Sequence, residues 1–370
     1  MSATFITSFD STGPGPRVAV KDLIDMAGVP TTAGSRVLAE TAVPAAADAA
    51  CLAGLRAAGA RIVGKTNLHE LALGVTGINP WFGTPENPLD PSLAPGGSSS
   101  GSAVAVATGE ADVAYGTDTG GSIRIPAACC GICGLKTTWG RIPLDGVRPL
   151  TPSMDTVGPM AADVAGLILG MQLLEPGFTV AADAGSPRVG RVRVPAAPDI
   201  DDAVTAALRA TSWDVTDLDP AEWRAATKAT GPLLVNEAYQ TNKDILERDA
   251  DRISPDVAAR LDTGRQITPA ELAAANEARQ LWQEQLAVLF GSFDLLVTPV
   301  LTIPPPPLDR ATDLLESRCT LPVNLAGGPA LALPVPARGP LPASIQLVSA
   351  PGTEERLLAA GAVVEAAVAA

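Results

Sequence analysis

The chain has 370 residues, 46 % of them hydrophobic, and a formal net charge of −14. That length allows one large domain or two to three ordinary ones, with ample material for a core. The acidic balance argues against nucleic-acid binding, which needs a basic surface. No run of about 18 uncharged apolar residues suggests a membrane span, and the N-terminus lacks a basic segment followed by an apolar one. Cytoplasm is the expected location.

The five cysteines, Cys51, Cys129, Cys130, Cys133 and Cys319, are odd in number and irregular in spacing, which does not suggest a disulfide framework. Cys130 and Cys133 form a formal C-x-x-C among Ala, Gly and Ile, and read as small buried residues rather than a redox or metal pair. His69 is the only histidine. A histidine-rich metal site is thereby excluded, and any serine–histidine mechanism must run through this residue, for which a structural polar role is the better reading.

In chain order, RVAV (17–20) reads as a strand ending at Lys21. An inward lysine at a strand end is a buried functional amine or a snorkelling surface residue. Residues 43–58 read as an alanine-rich helix closed by Gly59, followed by a strand, ARIVGK, with Lys65 near its end as a rival candidate base. TNLHELALG reads as a helix start capped by Thr66 or Asn67. Residues 77–97 are a long Gly- and Pro-rich connection, of a length that is often functional.

The most informative stretch is 95–126, PGGSSSGSAVAVATGEADVAYGTDTGGSIRIP. It reads as a Gly-Ser loop, a helix over 98–108, a buried strand and a second Gly-Ser loop. Ser98, Ser99, Ser100 and Ser102 crowd the first loop, beyond what helix capping needs, and Ser122 ends the second. Gly120 and Gly121 let backbone approach a ligand closely, and Arg124 is placed to hold Asp118. Two such loops suit attack on an acyl group and retention of its oxyanion. Short strands and turns are expected over 127–160, a helix over 161–174, a boundary near 178–195, and helices over 201–210 and 220–290. A strand entering a proline-rich loop over 293–307, two more strands and a closing helix complete the chain.

GGSSSGSA and GTDTGGSIRIPAACCGICGLKTT resemble the amidase signature family. So do VKDLID, AGARIVGKTNLHELALG, SMDTVGPM, LLVTPV, VNLAGGPALALPVP and LPASIQLV. The resemblance spans about 15–165 and 290–365 and leaves the middle unmatched. It implies a single α/β domain: three layers, with a large twisted mixed sheet covered by helices on both faces and a mostly helical insert over about 175–290.

The resemblance also implies a Ser–cis-Ser–Lys triad, with Ser122 as nucleophile, Ser98 as proton relay after a cis bond, and Lys21 as base. Lys65 then falls to a structural role. The backbone of Thr119, Gly120, Gly121 and Ser122 would hold the oxyanion, with Ser99, Asp118 and Arg124 in support. No metal or cofactor is implied. The expected partner is a small-molecule amide, with neither nucleic acid nor membrane.

Two departures stand out. Ser100 occupies a position that is usually glycine. Only 20 residues precede Lys21, which leaves a pocket wall and a homodimer as open questions. The expected activity is cleavage of a carboxamide to carboxylate and ammonia or amine through an acyl-enzyme. The alternatives are the A-type component of a glutamine amidotransferase, a hydrolase of urea-like compounds such as biuret or allophanate, or an inactive scaffold that only binds.

Overall fold

The computed structural model describes residues 3–182, 185–219 and 221–370. Its strands are β1 (Phe5–Ser8), β2 (Arg17–Lys21), β3 (Arg61–Thr66), β4 (Val113–Thr117), β5 (Cys133–Lys136), β6 (Val157–Ala161), β7 (Arg188–Val192), β8 (Asp214–Leu218), β9 (Leu295–Pro299), β10 (Ala330–Val335) and β11 (Ala343–Val348). Among the described residues they join in one mixed sheet, in the order β1-β3-β2-β4-β6-β5-β10-β11-β9-β7-β8. Strand β2 is parallel to both β3 and β4, whereas β6 is antiparallel to β4 and β5.

Helices cover both faces, which gives the expected three-layer α/β arrangement. The helices used below are α1 (Ser100–Ala107), α2 (Arg124–Cys130), α3 (Val164–Leu174), α4 (Pro198–Ala210), α5 (Ala221–Asp249), α6 (Pro255–Gln266), α7 (Pro269–Ser292), α8 (Leu321–Ala326) and α9 (Glu354–Ala369). The two-residue period of a strand sorts β2 between the layers. Val18 and Val20 pack with Leu167 and Met171 of α3, Val204 of α4 and Leu357 of α9. Ala19 packs on the opposite face with Ala103 of α1 and Ala127 of α2. Lys21, two residues beyond Ala19, therefore points to the α1 layer, where Ser98 enters the helix.

Three local expectations are corrected. The helix over 43–58 is confined to a short turn at Ala50–Leu52 and a helix at Ala53–Ala57. Before it the chain is bridged as Pro30↔Pro44 and Ala27↔Ala45, and Asp48 accepts from the Ala27 amide and from Arg56. Tertiary pairing has overridden alanine's helix propensity.

The segment after β3 is not a helix start. It makes one turn, Glu70–Ala72, with Leu71 at φ 52°. Asn67 is used differently, donating to the carbonyls of Ala3 and Gly83. Conversely, Arg124–Cys130 is a helix where the end of a loop and then, from 127, short strands and turns were expected. Pro126 lies in its first turn, where a missing N–H costs nothing.

The middle of the chain is helical, as α5, α6 and α7, while β7 and β8 extend the same sheet as the segments that flank them. No helix among the described residues is long and apolar enough to cross a membrane.

Candidate active site

Lys21 ends β2 and is fully buried. Its Nζ lies 2.7 Å from Ser98 Oγ and 2.8 Å from Thr117 Oγ1 at the end of β4. Burial pushes its ammonium down to about 7, against the opposing pull of the Asp118 and Asp155 carboxylates. An amine that would normally hold its proton firmly is thus able to exist neutral near physiological pH. The Gly97–Ser98 peptide is cis.

The rival base is occupied. Lys65 is buried in an ion pair with Asp22 at 2.7 Å and donates to Thr31 Oγ1 and the Pro30 carbonyl. His69 is also structural. Its Nε2 lies 2.9 Å from an Asp256 carboxylate oxygen of α6, and its Nδ1 lies 3.2 Å from Thr76 Oγ1. Burial pushes the Cys51 and Cys129 thiols up to about 12, so both remain protonated and unreactive.

Ser122 sits in the turn before α2 and is 6 % exposed. Its Oγ makes no hydrogen bond among the described residues, whereas its carbonyl accepts from the Ser99 amide at 3.2 Å. Ser99 Oγ in turn donates to the Thr117 carbonyl at 3.3 Å. Ser99 thus joins the first loop, the second loop and the end of β4.

Below Ser122 lies a buried polar cluster. Arg124 reaches Asp118 through Nε at 3.0 Å and through a terminal nitrogen at 2.8 Å, the fork geometry that suits a carboxylate. The same guanidinium donates to Gln346 Oε1 at 2.7 Å, Asn324 Oδ1 at 2.5 Å and the Thr320 carbonyl at 3.2 Å. Burial would raise the Asp118 carboxyl, but Arg124, Lys136 and Asn324 together hold it well below the usual range.

Asp118 directs that charge to the loop that carries Ser122. It accepts from the amides of Gly121 at 2.8 Å and Ile123 at 3.1 Å. The Gly121 amide, expected to face an oxyanion, is therefore turned to Asp118. The amides of Thr119, Gly120 and Ser122 make no hydrogen bond among the described residues. Gly121 has φ +127°, and a Cβ there would stand 2.4 Å from Thr320 Oγ1, so only glycine fits.

Thr117, Asp155, Thr320, Asn324 and Gln346 bond to these groups although no sequence reading singled them out. Asp155 accepts from Thr119 Oγ1 at 2.6 Å and from the amides of Leu150 and Thr151. Thr320 Oγ1 donates to the Gly120 carbonyl at 2.6 Å. The signals that could have found them are the segments SMDTVGPM, VNLAGGP and SIQLV, which supply Asp155, Asn324 and Gln346 directly.

Helices α5 and α8 close over the same loop. Leu234 of α5 and Leu321 of α8 both lie against Gly120. The Leu234 carbonyl accepts from Thr151 Oγ1, and Glu237 of α5 accepts from the Ser153 amide and hydroxyl. Arg279 of α7 donates to the Ser153 carbonyl at 2.6 Å. Ser102 pairs with Thr66 Oγ1 at 2.7 Å. Ser100, by contrast, keeps a buried Oγ without a partner among the described residues.

A buried lysine amine thus lies beside one serine, and the loop next to it carries a second serine and three amides without hydrogen-bond partners among the described residues, all within an α/β/α fold. The sequence profile of the Amidase family matches residues 15–358, and the chain belongs to that family. It is 33 % identical over 403 residues to the A subunit of the glutamyl-tRNA(Gln) amidotransferase of Halobacterium salinarum, covering 95 % of each chain. It is 34 % identical to AtzE, a subunit of the 1-carboxybiuret hydrolase of a Pseudomonas species, covering 94 % of this chain and 82 % of the relative. The crystal structure of an amidase superposes with a TM-score of 0.86 at 34 % identity, covering 95 % of this chain and 84 % of that one.

Proposed function

We propose that this protein is a cofactor-free amidohydrolase that attacks a carboxamide through Ser122. The observation that carries the reading is the contact between the buried Lys21 amine and Ser98 Oγ at 2.7 Å. A serine hydroxyl is a weak nucleophile until a base takes its proton. Neutral Lys21 draws the proton of Ser98, and Ser98 draws that of Ser122 as Ser122 Oγ turns toward it in the substrate complex. Catalytic hydrogen bonds of this kind commonly tighten only once substrate is bound.

Ser122 Oγ adds to the amide carbon, and the carbonyl oxygen becomes an oxyanion facing the amides of Thr119, Gly120 and Ser122. Losing one such donor costs about 3 kcal/mol of transition-state stabilisation. The proton held by Lys21 returns through Ser98 to the leaving nitrogen, the C–N bond breaks, and ammonia or an amine departs. Water then adds to the acyl-enzyme by the same route in reverse order and releases the carboxylate and Ser122.

Ser122→Ala is expected to abolish ammonia release from amides and covalent labelling by a fluorophosphonate. Undiminished turnover in that variant would refute the reading. The identity to an amidotransferase component supports a second reading, glutamine hydrolysis within a larger assembly. Ammonia release by the isolated chain from a panel of aliphatic, aromatic and urea-type amides, with glutamine included, separates the two.

A further inference from the structure

A cavity of about 250 Å³ lies beside the catalytic groups, at the ends of β2 and β4. Its walls include Leu23, Leu144 and Leu150, and also Thr117 and Asp155. Thr117 is the partner of Lys21, and Asp155 is the partner of Thr119. The cavity thus shares two walls with the reaction centre proposed above. One cation lines it, Arg148.

Arg148 is poorly compensated for so acidic a chain. It is half-buried. Its side chain donates once, to the neutral Asn242 Oδ1 of α5 at 3.0 Å, and it forms no ion pair among the described residues. Burial lowers its pKa, and Asp25 is the charge that opposes this. Asp25 is itself engaged by Thr31 Oγ1 at 2.6 Å. The Asp155 carboxylate, which also lines the cavity, is engaged by the protein itself, accepting from Thr119 and two backbone amides. A guanidinium always carries its charge and presents five donors, so four of Arg148's remain for a ligand.

We propose that Arg148 is a specificity residue that binds a carboxylate carried by the amide substrate, remote from the scissile bond. This rests on the amidohydrolase reading of the site. Helix α5 sets the scale. Leu234 lies over Gly120, and Asn242, eight residues on, holds Arg148. At about 1.5 Å per residue that span is about 12 Å. The favoured substrate is therefore a monoamide of a dicarboxylic acid, with several apolar bonds between the amide and the carboxylate to suit the leucine-lined walls.

The test compares succinic, adipic and suberic monoamides with straight-chain neutral amides of matched length. In the native enzyme kcat/KM is expected to favour a carboxylated member at least tenfold. Arg148→Gln should lower kcat/KM for that member roughly 30-fold, as a lost charge-assisted bidentate contact would, and change the neutral amide less than threefold. Arg148→Lys should retain part of the preference, and Asn242→Ala, which removes only the tether, most of it. Melting temperatures of all variants separate lost binding from lost folding. A native enzyme without preference for the carboxylate, or an Arg148→Gln variant that slows both substrates equally, overturns the inference.

Calorimetric titration of Ser122→Ala with the favoured monoamide tests binding without turnover. Saturable binding that disappears in the Ser122→Ala, Arg148→Gln double variant supports the inference even if the native chain hydrolyses no amide, in which case the amidohydrolase reading alone fails. Turnover of neutral amides with no dependence of binding on Arg148 overturns the inference and leaves the amidohydrolase reading standing.

Discussion

Lys21 Nζ and Ser98 Oγ stand 2.7 Å apart although 77 positions separate them in the chain. The contact exists because β2 and β4 are parallel neighbours and because the period of β2 turns Lys21 to the α1 face. Lys21→Met keeps the bulk of the side chain and removes the base. It is expected to lower amide kcat/KM by about 10³-fold, within the range that general-base catalysis contributes, and to slow fluorophosphonate labelling in parallel. A Lys21→Met variant that labels at the native rate would remove Lys21 from the mechanism.

The same lysine predicts a pH profile. Activity requires neutral Lys21, so kcat/KM should rise with pH through about 7, the value to which burial lowers it. Lys136 is a control, since burial and the charge of Arg124 also push it down to about 7, yet it donates only to the Thr137 and Gly328 carbonyls. Lys136→Met should leave the acid limb of activity in place. Stability carries both groups. Between about 7 and the ordinary lysine value of 10.5 the unfolded chain binds more protons than the folded one, so stability should rise with pH across that window. The rise should shrink in either lysine variant. Activity measured against pH, beside denaturant midpoints at the same pH values, checks both halves.

Much of this site was legible in the sequence, because its groups sit at the ends of short, strongly apolar strands. RVAVK is buried throughout beyond its first residue, and a run of that kind leaves little doubt about a strand. The serine crowding beyond capping needs likewise pointed to the loop over 98–102, and the resemblance to the amidase signature family singled out Ser98 and Ser122. What remained hidden was long-range pairing. Nothing local says that Asp118 will take the Gly121 amide, or that Asn324 and Gln346 will close on Arg124 from about 200 positions away. The helix expected over 43–58 failed for the same reason, since Pro44 and Ala45 were recruited into bridges with Pro30 and Ala27.

Arg124 and Asp118 form a fully buried pair. Removing one partner of such a pair typically costs about 3–5 kcal/mol, because the other charge stays buried and unpaired. Arg124→Met should therefore lower unfolding free energy by about that amount in guanidinium titrations at neutral pH. Activity should fall with it, since Asp118 holds the amides on either side of Ser122, the proposed nucleophile. The pH dependence has a definite sign. Asp118 is held below its unfolded value, so its stabilisation is present above about pH 4 and is lost as pH falls through the folded value. In Arg124→Met the loss should begin at higher pH. An unchanged acid transition would mean that the pair does not govern it.

The two loop glycines should respond differently to alanine. A Cβ at Gly121 would stand 2.4 Å from Thr320 Oγ1, at a φ of +127° that L side chains rarely adopt. Thr320 cannot simply yield, because its hydroxyl is bonded to the Gly120 carbonyl at 2.6 Å. A Cβ at Gly120 would meet only the methyl ends of Leu321 at 3.0 Å and Leu234 at 3.2 Å, which can shift by a few tenths of an ångström. Gly121→Ala is thus expected to misplace the Gly120 and Ser122 amides and lower kcat by about 10²-fold or more, the scale of a lost oxyanion donor. Gly120→Ala should keep its N–H in place and lose far less. Steady-state kinetics of the two variants on one amide substrate decide the matter. Equal losses, or a milder loss at Gly121, would place the oxyanion donors elsewhere than this turn.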